Sequence, residues 1–354
     1  MKQDKPLFEG FFSEKNMKER LSFQYRESEN ADFITWQFNS CGSVYTVAAI
    51  DNNRVLVGGS LWQRKFVPFS EDSRAQQGVV QAVGGQEWHP ETIKFSSMVN
   101  SVLPFRDRYI VCCKYGEQAY NVIGQDLQVQ KTADDSRGNG VYNALITNEE
   151  ELVSAVRNGG LSFRNPFTLE LIDYVSLSGN VRLWSVAQLP EGRLVAGDYA
   201  GMIYIVKDGK LESVFNLGNQ SRQEVPEFQQ RFEPSVFGLS VSDAGNVAAA
   251  VRWGGIYWFN REMELERSLI IPHEISTVGY VPESEDLLIG TRSGSLLHLR
   301  DLDNEIMLTR LLSIKPALQN DNSIWSISFD LDKRPIVAFA DGQVIKINQL
   351  AQRD

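Results

Sequence analysis

Ser235 to Asn260 reads SVFGLSVSDAGNVAAAVRWGGIYWFN. An apolar run, Val236-Phe237-Gly238-Leu239, leads through the turn residues Asp243-Ala244-Gly245 to a second apolar run that starts at Val247. Gly254 marks another turn, and a third run, Ile256-Tyr257-Trp258-Phe259, follows it. Short runs of β-branched and aromatic residues punctuated by Gly and Asp are strands joined by tight turns.

The opening pattern is an apolar residue, a variable and often aromatic one, a small one, and another apolar one. It occurs as Val44-Tyr45-Thr46-Val47, Val99-Asn100-Ser101-Val102, Val141-Tyr142-Asn143-Ala144, Leu183-Trp184-Ser185-Val186, Val236-Phe237-Gly238-Leu239, Ile275-Ser276-Thr277-Val278 and Ile324-Trp325-Ser326-Ile327. In every copy a second apolar segment begins 11 or 12 residues later, at Val55, Ile110, Leu152, Leu194, Val247, Leu287 and Ile336. A glycine turn and a third run come next, and most units add a fourth, as in Leu211 to Leu217 and Ile306 to Leu312. Unit starts are 55, 42, 42, 53, 39 and 49 residues apart, around the ~40–50 of propeller repeats. No apolar face recurs at helical spacing inside a unit, which excludes a helical solenoid. The expected fold is all-β, a seven-bladed propeller of four-stranded antiparallel blades. From Ile324 only 31 residues remain, enough for three strands, so Phe33 to Phe38 is expected to complete the last blade and close the ring. Residues 1–32 are then an N-terminal extension, with an apolar Pro6 to Phe12 and a candidate two-turn helix over Ser13 to Leu21, and 33–354 form the propeller.

Ser235 to Asn260 and Ile275 to Arg300 (ISTVGYVPESEDLLIGTRSGSLLHLR) resemble the blades of WD40-like and regulator-type seven-bladed β-propellers. The units lack the Gly-His pair, and none ends its third strand in Trp-Asp. The resemblance implies scaffolding or partner recognition more often than catalysis, although propellers host both.

Composition narrows the function classes. The 354 residues carry 35 Lys and Arg against 45 Asp and Glu, a net charge of −10 that disfavours nucleic acid and anionic membranes, a local basic patch aside. No stretch approaches the ~18 consecutive apolar residues of a membrane span, and a cytoplasmic location is expected. Cys112 and Cys113 are neighbours in an apolar run and read as buried reduced thiols.

The small position of the repeat (Thr46, Ser101, Asn143, Ser185, Gly238, Thr277, Ser326) is the expected lining of the central channel, and no member of that ring is ionisable. Lactonase or sialidase chemistry requires charge there. Small residues also let seven inner strands approach one another. His89, His273 and His298 lie in different units without a second ligand at metal spacing. Asp301/Asp303 and Asp330/Asp332 lack the glycine of a calcium loop and read as turn aspartates. Neither a metal nor a cofactor is expected.

The turn after the second strand and the loop between blades share one face. Aligning those turns groups Lys114, Arg157, Arg252 and Arg292 at one position, with Asp198 and Asp341 in two other units. Tyr115, Tyr199 and Trp253 fall at the next position, and Trp62 lies in the first unit's turn. Three segments read as inter-blade insertions on the same face: Gly84 to Ser97 with Trp88, Gly218 to Pro234 with Phe228 and Phe232, and Ser313 to Asn322. Arg, Tyr and Trp dominate interface hot spots, so these residues are expected to bind a protein partner within a multi-subunit complex. Pairing of each cation with a neighbouring carboxylate is the structural alternative. Two other functions fit the residues: an enzyme using His89, Glu87 or Glu224, and a sensor holding an anionic ligand or single-stranded nucleic acid on Arg157, Arg252 and Arg292.

Overall fold

Val247-Ala248-Ala249-Ala250-Val251 is buried at every position, as a strand must be when its sheet is covered on both faces. In the computed structural model of the chain this strand lies second in a four-stranded antiparallel sheet, between Val236–Val241 and Gly255–Phe259, with Leu265–Leu269 outermost. Six further sheets repeat the arrangement, giving a seven-bladed β-propeller. The structure describes residues 23–27, 33–37, 43–60, 77–84, 92–114, 118–135, 140–177, 182–224, 233–271, 273–302, 305–313, 322–348 and 350. Among these, no helix is long and apolar enough to cross a membrane.

The inner strands are Ser43–Ala49, Val99–Phe105, Val141–Ile146, Leu183–Gln188, Val236–Val241, Ile275–Tyr280 and Ile324–Phe329, in blades one to seven. Their first residues lie at what is here called the upper face. Second strands such as Leu194–Asp198 and Val247–Val251 are buried at every position, while outer strands such as Lys210–Asn216 have only exposed and half-buried ones, as one-sided strands do.

Each small residue of the repeat pairs with another small residue on the second strand: Thr46 with Gly58, Ser101 with Cys112, Asn143 with Ala155, Ser185 with Gly197, Gly238 with Ala250, Thr277 with Gly290 and Ser326 with Ala338. The next blade explains why. A Cβ at Gly58 would stand 2.5 Å from Val99 Cγ1, one at Gly197 2.5 Å from Val236 Cγ1, and one at Gly290 2.6 Å from Ile324 Cγ2. The first apolar residue of an inner strand therefore seats itself on the small residue of the preceding blade.

Closure follows the expected route. Phe33–Gln37 pairs antiparallel with Gln343–Ile347 and gives the last blade its fourth strand. Phe23–Glu27, inside the segment read as an extension, adds a fifth strand to blade six, parallel to Glu305–Ser313. The sequence pattern predicts no strand there. The candidate helix over Ser13 to Leu21 lies outside the described residues.

On the lower face a buried ion pair reinforces the seam. Lys346 Nζ lies 2.6 Å from Asp330 Oδ2, with both side chains almost wholly buried, and also donates to the Asn52 carbonyl of blade one. Asp330 additionally accepts from the backbone amides of Asp332 and Arg334, at 3.0 and 2.8 Å, and from Arg334 Nε at 2.9 Å, so it is indeed a turn aspartate. Burial pushes its pKa up, but the hydrogen bonds from Lys346 and Arg334 outweigh burial and hold it below the ordinary value. Because folding lowers this pKa, the stabilisation is complete above the unfolded value of about 3.9 and disappears as pH falls through the folded one.

Two outcomes are expected. Deleting residues 1–39 should expose the edge of blade seven and lower the melting temperature or cause aggregation, whereas deleting 1–12 should leave melting unchanged. Lys346→Met should cost about 1–3 kcal/mol at neutral pH, because Asp330 keeps Arg334 but loses its buried ammonium partner. Melting curves followed into acid should show that deficit shrinking below about pH 4, as Asp330 protonates.

Candidate functional site: the upper mouth of the channel

All seven inner strands carry a register shift at the same place, between Val44 and Thr46, Val99 and Ser101, Val141 and Asn143, Leu183 and Ser185, Val236 and Gly238, Ile275 and Thr277, and Ile324 and Ser326. The extra residue at a bulge leaves the strand's alternation and aims its side chain elsewhere. Here it is the variable residue of the repeat: Tyr45, Asn100, Tyr142, Trp184, Phe237, Ser276 and Trp325. Five rings are thereby delivered to one end of the channel.

They touch in sequence. Ring centroids are 4.7 Å apart for Tyr142 and Trp184, 5.1 Å for Trp184 and Phe237, 6.2 Å for Phe237 and Trp325, and 6.0 Å for Trp325 and Tyr45. These are ordinary separations for stacked and edge-to-face pairs. Where the bulge residue is not aromatic it ties blades together: Asn100 donates to the Val141 carbonyl at 2.7 Å and Ser276 to that of Ile324 at 2.5 Å.

Cations pack on the rings. Arg252 lies 5.6 Å from the Phe237 centroid, Arg292 5.0 Å from Trp325, and Lys114 Nζ 5.5 Å from Tyr142. Arg182 lies 5.9 Å from Tyr199, which itself leans on Trp184 at 6.2 Å. Glu274 joins two of them, its Oε1 2.5 Å from Arg252 Nε and 3.3 Å from Arg292 Nε. Part of the structural alternative therefore holds, since both arginines meet one carboxylate, which stands at the start of the next blade for Arg252 and of its own blade for Arg292, while their guanidinium groups also lie over aromatic rings.

The position after the second strand is fixed by one recurring hydrogen bond to the residue before the inner strand. Lys114 donates its backbone N–H to Met98, Arg157 to Gly140, Tyr199 to Arg182, Arg252 to Ser235, Arg292 to Glu274 and Ala340 to Ser323. This corrects the sequence alignment in two units: Tyr199 and Ala340, not Asp198 and Asp341, are the equivalents of the cations. Asp198 ends its strand opposite Leu183 and folds back, accepting from the amides of Ala200 and Met202 and from Tyr204 Oη. Burial raises its pKa despite those bonds. Trp253, one position on from Arg252, is half-buried.

Trp62, Trp88, Tyr115, Phe228 and Phe232 lie outside the described residues. The segment around Trp88 needs a second correction. Gly84 ends the third strand of blade one and Thr92–Phe95 is its fourth, so residues 85–91 join these strands from the lower end, where Gly84 pairs with Arg54. The run Thr92 to Phe95 is four residues long and carries too little periodicity to stand out from the insertion in sequence. In Gly218 to Pro234, Leu217–Glu224 forms a helix capped by Asn216, whose Oδ1 accepts from the Asn219 amide at 2.9 Å. Its Ser221 packs so closely on Gly254 that a Cβ there would stand 2.0 Å from Ser221 Oγ.

Below the rings lies a channel cavity of about 590 Å³ lined by Thr46, Ser101, Asn143, Gly238, Thr277 and Ser326, among others. Ser185 donates its hydroxyl to the Val236 carbonyl of the next blade at 3.0 Å. Among the described residues no group of three metal-ligating side chains gathers. Both vicinal thiols are buried, and burial pushes Cys112 up to about 12.

No protein-family model matches the chain, and no curated protein matches it by sequence. Solved structures do match it in architecture. The WD40 β-propeller domain of Doa1 superposes with a TM-score of 0.65 at 13% identity, covering 90% of this chain and 96% of that one. The Pan2 WD40 domain of Neurospora crassa gives 0.65 at 9%, covering 92% and 99%. Virginiamycin B lyase from Staphylococcus aureus, solved with quinupristin, gives 0.65 at 9%, covering 90% and 100%. At such identities the likeness defines the class, a seven-bladed β-propeller with WD40-like neighbours, and stops there.

Glu274→Gln should leave Arg252 and Arg292 facing each other without their shared carboxylate. A loss of about 1.5–3 kcal/mol is expected at low salt. Melting temperatures compared at low and high ionic strength should show the deficit partly relieved by salt.

Proposed function

We propose that the chain is a non-catalytic recognition module that holds a protein partner on its upper face, over the aromatic arc and its cations. The observation that supports this most is the use of the bulge. Tyr45, Tyr142, Trp184 and Trp325 remain half-exposed at the mouth, where a core role would have buried them, and Arg252, Arg292 and Lys114 stand beside them. Large rigid rings with directional cations are the chemistry of interface hot spots. The channel lining points the same way, since among the described residues Arg106 is its one ionisable side chain apart from Tyr45 and Tyr109, and it is ion-paired with Glu150. A cytoplasmic location and membership of a multi-subunit complex belong to the same reading.

The test is affinity capture with the full chain and mass spectrometry, followed by binding of the recovered partner to variants. Trp184→Ala and the double variant Arg252→Ala/Trp253→Ala should each weaken binding by about 2 kcal/mol, roughly thirtyfold, with melting checked in parallel. Asp243→Ala, in a lower-face turn, should leave affinity unchanged. Partner binding lost on the lower face alone, or turnover of a small substrate by the isolated chain, would replace this reading.

A further inference from the structure

The boundary between blades four and five gathers three rings and two cations on the upper face. Trp184 packs at 5.1 Å against Phe237 and at 6.2 Å against Tyr199. Ser235 ties the group together, its Oγ donating to the Tyr199 carbonyl at 3.0 Å and its carbonyl accepting from the Arg252 amide at 2.9 Å. Arg182 lies 5.9 Å from the Tyr199 centroid and Arg252 5.6 Å from that of Phe237, and Trp184 touches both of those rings.

The donors of this cluster are largely unspent. Arg182 is exposed and meets no carboxylate among the described residues. Arg252 gives its Nε to Glu274, while its terminal N–H groups have no acceptor among the described residues. The Tyr199 hydroxyl makes no hydrogen bond to a described residue either. Carboxylates close by are already engaged: Asp198 is buried and accepts from two turn amides and from Tyr204, Glu274 lies between Arg252 and Arg292, and Glu233 has a partner. A guanidinium with spare N–H groups takes a carboxylate in a forked, charge-assisted pair. One already resting on a ring loses less side-chain freedom when it does so.

Phosphate is the other anion such cations could meet, in single-stranded nucleic acid whose bases stack on rings. Stacking requires an open ring face. Trp184 has given one face to Tyr142, at 4.7 Å and 28°, and is flanked by Phe237 and Tyr199. What the half-exposed Trp184 and Tyr199 offer is better suited to edge-to-face contact with a single apolar side chain. We infer that the partner presents an acidic protein segment here, with carboxylates for Arg182 and Arg252 and an apolar side chain between them against Trp184. This rests on the upper-face reading and deepens it by naming the partner's chemistry.

The probe is a fluorescently tagged peptide with two glutamates on each side of a phenylalanine, titrated into the full chain by anisotropy. Saturable binding is expected, weakened by added salt. It should be at least about tenfold tighter than that of the same peptide with glutamines for glutamates. Arg182→Glu, a reversal at an exposed position, should weaken it by about tenfold or more with melting unchanged. Lys207→Glu, the same reversal at an exposed lower-face turn of blade four, should leave it unchanged. Equal binding of the glutamine peptide, tighter binding of single-stranded oligothymidylate, indifference to Arg182→Glu, or no saturable binding would overturn the inference. A captured partner that needs Trp184 but ignores Arg182→Glu would sink this inference alone, whereas one that needs neither would take the upper-face reading with it.

Discussion

The ring rests on one repeated contact, the first apolar residue of an inner strand seated on a side chain too small to resist it. Val99 sits on Gly58, Val236 on Gly197 and Ile324 on Gly290, at distances that would admit no Cβ. This contact sets how closely neighbouring blades approach at these seams. It also explains why the small position of the repeat is answered by Gly, Ala or Cys across the strand pair. The hydroxyls at the interface then become inter-blade bonds, as when Thr46 Oγ1 accepts from the Val102 amide at 3.2 Å.

Much of this was legible in the sequence because strands announce themselves by periodicity and turns by Gly and Asp. The seven inner strands and the closing strand at Phe33 could be read from spacing alone. The bulge could not, because a bulge is a fact of hydrogen-bond register and the sequence shows only a position that varies. Residues at that position were accordingly passed over, although Tyr45, Tyr142, Trp184, Phe237 and Trp325 compose the channel mouth. The one-residue misplacement of Asp198 has the same origin: alignment by charge put a turn-capping carboxylate among the cations, and only the backbone bond from Tyr199 to Arg182 restores the count. The parallel strand Phe23–Glu27 was hidden because its partner, the outer strand of blade six, lies some 280 residues away in sequence.

Charge and aromaticity at the upper mouth are coupled. A guanidinium spread over a ring keeps one face of the cation dry and one edge wet, and Glu274 fixes two such groups with a single carboxylate. The local surface is thus cationic and rigid within a chain whose net charge is −10. The proposed recognition of a partner of opposite sign would use that contrast, since fields add at short range and screen at long range.

The closing strand also places a demand on synthesis. Gln37 is joined to Gln343, so the N-terminal strand leaves the ribosome 306 residues before its partner does. At roughly 5–20 residues per second that is a delay of about 15 to 60 s. Six blades are completed one after another during this interval while the ring remains an open arc with an unpaired strand at one end. Strand edges in that state invite pairing with other chains. The parallel clasp of Phe23–Glu27 on blade six is also made late, so this strand and Phe33–Gln37 wait together and then lock adjacent blades within a short stretch of translation.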